Sequence, residues 1–219
     1  SPEEGLRGIV WNSLLGGWPG SKLDAQLRQA TTTWKARARG VLMDHRQGHG
    51  GTMVTADILI SFSRQGAVPL ASLFRNRAAD EGPQTLEEGK ELFLKIRGYA
   101  GIHVGSNAPQ VHIPVAFLTT WDVSASDFLP YLMKGASQVR LFGPGPTMGA
   151  FGTFFQYSYW GGLRWSLGAE DSLTPEGITL CGRGVDPDEV VFPKQSDLLE
   201  GKDTVHEAAV HWLRKEIEP

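Results

Sequence analysis

Two stretches of this sequence bring together residue types that can do chemistry. The first is Thr119-Thr120-Trp121-Asp122-Val123-Ser124-Ala125-Ser126-Asp127. An apolar, strand-like run ends here, the chain turns, and a serine stands where a helix begins. A serine so placed is a candidate nucleophile. The strand end fixes its backbone, and the amides of the first helical turn, that of Ala125 among them, can bind the negative charge of an oxyanion. The alternative is that Ser124 or Ser126 is a helix N-cap and nothing more. The second stretch is Leu42-Met43-Asp44-His45-Arg46-Gln47-Gly48-His49-Gly50-Gly51. Paired glycines after a buried strand and before a helix leave N–H groups bare, so Gly50 and Gly51 can cradle an anion. The alternative there is a tight turn.

The composition narrows what these stretches can serve. At 219 residues, with 41% hydrophobic and 21% charged residues, the chain has an ordinary globular make-up. A net charge of -3 argues against a nucleic-acid binder, which needs clustered Lys and Arg. The single cysteine, Cys181, excludes a disulfide framework and a cysteine-based zinc site. No metal and no organic cofactor is expected. No apolar run approaches a membrane span, and the acidic first residues do not read as a signal peptide.

The elements that must position the two stretches alternate in type. Residues 8–14 read as a strand, followed by a helix capped by Ser21 with Asp24. A buried strand over 40–44 precedes the glycine loop, and a helix opens near Thr52 with Val54, Ile58 and Phe62 on its inner face. Residues 65–84 read as a loop with Arg75 and Arg77. Thr85 with Glu88 caps a helix carrying Leu92, Phe93 and Ile96, and residues 98–110 read as loop. The run 112–120 is strand-like. A helix from about Ser126 follows, with Pro130 near its first turn. Then come a strand over 139–142, a hairpin over 151–167, a turn over 173–177, a strand over 190–192 and a last helix capped by Thr204 with Glu207. Strand–helix–strand order of this kind predicts a parallel α/β sheet with right-handed crossovers. No linker splits the chain, so residues 1–219 are expected to form one domain.

Four motifs, in order, resemble those of the S41 peptidases, which include the C-terminal processing (tail-specific) proteases and the tricorn-like core proteases. Asp44 to Gly51 stands in place of that family's D-L-R-x-N-x-G-G. Val123-Ser124-Ala125-Ser126-Asp127 matches its T-A-S-A-S-E nucleophile motif. The run from Gly143 to Gly149, ending Thr147-Met148-Gly149, is similar to its G-x-x-T-x-G. Gly184-Val185-Asp186-Pro187-Asp188 resembles its G-V-x-P-D. The resemblance implies a ClpP/crotonase-like α/β core and a serine endopeptidase with a peptide or unstructured protein substrate. Ser124 would attack the peptide carbonyl. The amides of Ala125 and of Gly50 or Gly51 would hold the oxyanion. It also implies that the N-terminal region and PDZ domain of such enzymes have no counterpart in this chain, and it suggests a periplasmic or secreted setting.

One departure bears on the mechanism. In the Ser–Lys members of the family a lysine follows the T-F-G and acts as base; here Ala150 stands there, and an alanine takes no proton. Three readings follow. The base is a histidine on a missing N-terminal segment or a second polypeptide, as the tricorn-like branch implies. Or the base is His49, beside the glycine pair, while His45 points into the core. Or the fold is kept as an inactive binding module for a peptide or hydrophobic ligand. Lys134 follows Ser124 on the same predicted helix, about 15 Å along its axis, and is not favoured. A crotonase-type acyl-CoA enzyme lacks a basic cluster for the CoA phosphates. His206 and His211 lack the i, i+4 spacing of a metal pair. His103 and His112 flank a loop with no third ligand in view. Arg75, Arg77 and Arg97 read as a solvated basic surface, and Asp186 and Asp188 as turn residues. The aromatic run from Phe151 to Trp160 reads as hairpin packing that in part lines a cleft beside Ser124.

Overall fold

The runs Gly40-Val41-Leu42-Met43-Asp44 and Val115-Ala116-Phe117-Leu118 are buried at every position, the pattern of strands covered on both faces of a parallel sheet. The structure, a computed structural model, describes residues 5–46, 48–53, 56–63, 71–74, 88, 112–152, 154–168, 170–174, 176 and 178–218. Its elements are β1 (Leu6–Val10), α1 (Lys22–Arg37), β2 (Gly40–Asp44), α2 (Ala56–Ser63), β3 (Ala71–Phe74), β4 (Val115–Leu118), α3 (Ala125–Met133), β5 (Val139–Gly143), β6 (Phe154–Ser158), β7 (Arg164–Gly168), β8 (Glu170–Leu173), β9 (Glu189–Val190), α4 (Gln195–Leu199) and α5 (Thr204–Ile217).

Five strands pair in parallel in the order β1-β2-β4-β5-β9. Alternation along each strand divides the core in two. Val41, Met43, Val115, Phe117, Val139 and Leu141 pack with Leu27 and Trp34 of α1, Leu59 and Ile60 of α2, and Leu129, Leu132 and Met133 of α3. On the other face Leu6, Leu42, Ala116, Leu118 and Phe142 pack with Val205, Ala209 and Leu213 of α5. The parallel βα architecture and the antiparallel β6–β7 hairpin expected from the sequence are both present.

Several boundaries and caps differ from expectation. The first strand runs Leu6–Val10 rather than over 8–14, its pairing with β2 extending from Leu6 opposite Gly40 to Val10 opposite Asp44. Ser21 caps α1 by accepting the Asp24 amide at 3.1 Å, but the Asp24 carboxylate takes the Gly20 amide at 3.1 Å instead of closing a capping box. Helix α2 starts at Ala56 rather than Thr52. Residues 71–74, read as loop, form β3, and residues 170–173 form its antiparallel partner β8, so a strand ends where a turn was expected. Pro130 lies in the second turn of α3, where it deletes the N–H that would reach Ser126; it is buried there. The cap of α5 is Asp203, which accepts from Val205 at 3.1 Å and His206 at 3.0 Å, while Thr204 donates to Asp197 at 2.8 Å. The helix expected after Thr85 lies outside the described residues apart from Glu88. So do Val54, Arg75, Arg77, Arg97 and the loop with His103; of Phe62 only its helical backbone is described.

Candidate active site

Strands β2 and β4 are parallel neighbours, with Asp44 opposite Leu118, so their carboxyl ends lie side by side. That is where open α/β sheets place their ligands. The chain leaving β2 forms the glycine loop, and the chain leaving β4 turns into α3. The two are laced together. Val123 N–H donates to the Gly48 carbonyl at 3.0 Å, and Gly48 N–H to Asp122 Oδ1 at 3.2 Å. A Cβ on Gly48 would fall 2.6 Å from both Asp122 Oδ1 and His45 Nε2, so only glycine fits there.

Ser124 occupies the turn with φ 62° and ψ -129°, the one non-glycine residue of positive φ among those described. An L-residue held there is strained by about 1–3 kcal/mol. It is held because its neighbours are fixed on both sides: Asp122 accepts the Thr120 amide at 2.9 Å, and the Asp127 amide donates to the Ser124 carbonyl at 2.9 Å. This is the geometry of a strained strand-to-helix serine turn. It is not that of a helix cap, for the hydroxyl makes no capping bond and no hydrogen bond to any described residue. A Cβ on Gly50 would sit 2.8 Å from Ser124 Cβ and 3.2 Å from its Oγ. The serine and the glycine loop therefore converge.

The amides divide unevenly. Gly50 N–H is occupied: it donates to Ser126 Oγ at 2.9 Å. Gly51 and Ala125 donate to no described residue. Among the described residues the amides left without an acceptor are thus those of Ala125 and Gly51, whereas the Gly50 amide has one.

Ser126 is fully buried, and its Oγ lies 2.8 Å from His45 Nε2. His45 Nδ1 lies 2.8 Å from the Trp11 carbonyl. A carbonyl only accepts, so Nδ1 carries the proton, and Nε2 accepts the Ser126 hydroxyl proton. Burial pushes the His45 pKa down to about 4, which keeps the ring neutral; the Trp11 bond opposes this only in part. His45 points inward as expected, but its pairing with Ser126 was not foreseen.

Two buried carboxylates flank the serine. Burial pushes Asp122 up to about 7 against the pull of the Thr120 and Gly48 amides. Burial likewise raises Asp127, although Thr147, Gly149 and Ala150 donate to it. The Asp127 bonds reach the Gly149 amide at 3.0 Å and the Ala150 amide at 2.9 Å, clamping the Thr147–Ala150 segment onto α3. Neither acid was singled out from the sequence. For Asp127 the signal was available: α3 is apolar on nearly every face, and a helix of that kind is buried all round, polar residues included. Arg46 braces the loop from below, bonded to Asp44 at 2.6 Å and to Asp203 at 2.6 Å.

No other expected residue hydrogen-bonds the Ser124 hydroxyl among the described residues. His49 is exposed, donates its backbone N–H to Asn12 at 2.8 Å, and makes no hydrogen bond to Ser124. Lys134 pairs with Asp188 at 3.6 Å. Asp188 also accepts the Leu141 amide at 2.9 Å, so it anchors its loop to β5 and is more than a turn residue. Phe151 belongs to the main core, whereas Phe154, Tyr159 and Trp160 are exposed. Among the described residues no three His, Cys, Asp or Glu side chains gather as a metal site, and no helix is long and apolar enough to cross a membrane.

The fold and this junction define a parallel α/β protein with a strained serine turn set against a glycine loop. The model of peptidase family S41 matches residues 15–191. The chain belongs to peptidase family S41. Its fold is similar to that of a candidate peptidase from Parabacteroides merdae, with TM-score 0.73 and 20% identity over 96% of this chain and 62% of that one. It is also similar to mature CPAF complexed with lactacystin, with TM-score 0.69 and 13% identity over 97% of this chain and 51% of that one. The photosystem II D1 C-terminal processing protease matches with TM-score 0.57 and 18% identity, over 84% of this chain and 42% of that one. The chain spans less than two thirds of the length of each. No curated protein matches the sequence significantly.

Proposed function

We propose that this chain is the catalytic core of a serine endopeptidase acting on peptides or unstructured proteins through an acyl-enzyme at Ser124. The observation that carries the reading is the strained, uncapped Ser124 set against Gly50, with the Ala125 and Gly51 amides making no hydrogen bond to any described residue. Ser124 Oγ attacks the peptide carbonyl carbon, and its proton passes to a base. The carbonyl oxygen gains the negative charge and is held by Ala125 N–H and Gly51 N–H. One such donor contributes about 3 kcal/mol to transition-state stabilisation. Collapse expels the amine, which takes the proton, and water then hydrolyses the ester. Ala150 supplies no base. The proton acceptor proposed is a histidine carried by a further segment or a second polypeptide, with His49 as the candidate within this chain.

A second reading is supported by the lack of any base bonded to the Ser124 hydroxyl among the described residues. It is a non-catalytic module that binds a peptide or hydrophobic ligand on the same fold. Treatment with a fluorophosphonate separates the two. Ser124 Oγ displaces fluoride from phosphorus, and mass spectrometry reads the adduct. The peptidase reading expects the adduct on Ser124 and loss of casein cleavage in Ser124→Ala. No adduct, with wild type and Ser124→Ala indistinguishable on casein, leaves the binding module.

A further inference from the structure

His45 and Ser126 are fully buried, so neither touches a substrate, and the mechanism proposed above uses neither. They nevertheless complete a continuous chain of hydrogen bonds. The Trp11 carbonyl takes the His45 Nδ1 proton at 2.8 Å, Nε2 takes the Ser126 hydroxyl proton at 2.8 Å, and Ser126 Oγ takes the Gly50 N–H at 2.9 Å. The Trp11 ring stacks on the imidazole with centroids 4.4 Å apart.

The ends of this chain are what matter. Ser126 lies in the first turn of α3, on the same backbone as Ser124 and the Ala125 amide. Gly50 is joined to the Gly51 amide by one planar trans peptide. Its carbonyl accepts from Leu14 N–H at 2.8 Å. In a trans peptide C=O and N–H point opposite ways. Holding Gly50 by its own amide and its carbonyl therefore sets the direction of the Gly51 N–H. A lone serine hydroxyl would be free to rotate. With His45 as a fixed acceptor, its proton is committed and a lone pair is always presented to Gly50.

We propose that His45 and Ser126 are positioning residues that hold the Gly50–Gly51 peptide in register with the Ser124 hydroxyl. The proposal rests on the acyl-transfer reading of Ser124. Because the imidazole stays neutral, the device operates across the neutral pH range.

The test uses the full chain with three substitutions. Ser126→Ala removes the link. His45→Gln places an oxygen near the Nε2 position and keeps the acceptor for Ser126, whereas His45→Asn keeps only the bond to Trp11. The second-order rate of fluorophosphonate labelling at Ser124 is expected to fall about 100-fold in Ser126→Ala and His45→Asn, in line with a small misplacement of catalytic groups. His45→Gln is expected to recover at least about tenfold of that loss at a matched thermal midpoint. Rates that merely follow the midpoints, with Gln and Asn alike, overturn the proposal. Amide hydrogen exchange supplies a readout that needs no chemistry at Ser124. Gly50 N–H is expected to be protected in the wild type and to exchange at least about tenfold faster in Ser126→Ala. An unprotected Gly50, or unchanged exchange in Ser126→Ala, overturns the proposal even where labelling occurs. A wild type that protects Gly50 but never labels Ser124 instead removes the acyl-transfer reading, and with it any catalytic meaning of the link.

Discussion

The Asp127 carboxylate holds the Ala150 amide at 2.9 Å and the Gly149 amide at 3.0 Å, so it ties α3 to the Thr147–Ala150 segment. Asp127 is fully shielded from solvent. Asp127→Ala would leave both donors without a partner, each costing about 1–3 kcal/mol. The expected loss is about 3–5 kcal/mol in urea denaturation, with Asp127→Asn losing about half as much. A loss below about 1 kcal/mol for the alanine variant would show that water or a rearranged loop replaces the clamp.

Glycine 50 has a partner for comparison elsewhere in the chain. Gly50 and Gly16 share nearly the same φ, +74° and +73°. Around Gly16 nothing lies within 4 Å of an added Cβ, while at Gly50 that atom meets Ser124 Cβ at 2.8 Å. Gly16→Ala should therefore cost only the left-handed conformation, about 1–2 kcal/mol, and leave Ser124 labelling intact. Gly50→Ala should cost more and abolish labelling. Equal effects of the two substitutions on labelling would separate Ser124 from the glycine loop.

Much of this arrangement was legible in the sequence, and what was not has a common cause. The strand over 40–44 was readable because every residue in it is apolar or at a strand end, and the Ser124 turn because an apolar run meets a helix start. The division of labour between Gly50 and Gly51 was not. It depends on a hydroxyl 76 residues further along the chain, whose own proton is taken by His45. The β3–β8 ribbon was missed for the same reason: Ala71 pairs with Leu173, and neither segment alternates strongly enough to declare itself. Local signals also misled at the last helix, where Thr204 matched the capping pattern but Asp203, one residue earlier, reaches both amides.

His45 and Asp122 make opposite contributions to stability as pH changes. The folded pKa of His45 is depressed to about 4, so the unfolded chain binds its proton first. Its contribution is fully present above about pH 6.5 and is lost as pH falls toward 4. Asp122 is raised to about 7, so its contribution is fully present below its ordinary value of 3.8 and is lost as pH rises through 7. Between pH 4 and 6.5 the two offset one another in the wild type. In His45→Gln the opposing slope is gone. The stability of wild type minus that of the variant should rise with pH by about 1.4 kcal/mol per unit across this window. Parallel pH–stability curves would mean that His45 titrates normally in the fold.

Ser124 carries the cost of its own conformation, and that cost is measurable. Its φ of 62° and ψ of -129° suit glycine far better than any L-residue. Ser124→Ala keeps the Cβ and so keeps the strain; its stability should stay within about 0.5 kcal/mol of wild type, because the hydroxyl it removes has no partner among the described residues. Ser124→Gly relieves the strain, worth about 1–3 kcal/mol, against about 0.5–1 kcal/mol for glycine's freedom in the unfolded chain. The glycine variant should therefore be more stable than wild type by about 1 kcal/mol while losing all reaction with fluorophosphonate. A glycine variant no more stable than the alanine variant would mean that the turn is relaxed, and the case for Ser124 as a residue held ready to react would lose its physical basis.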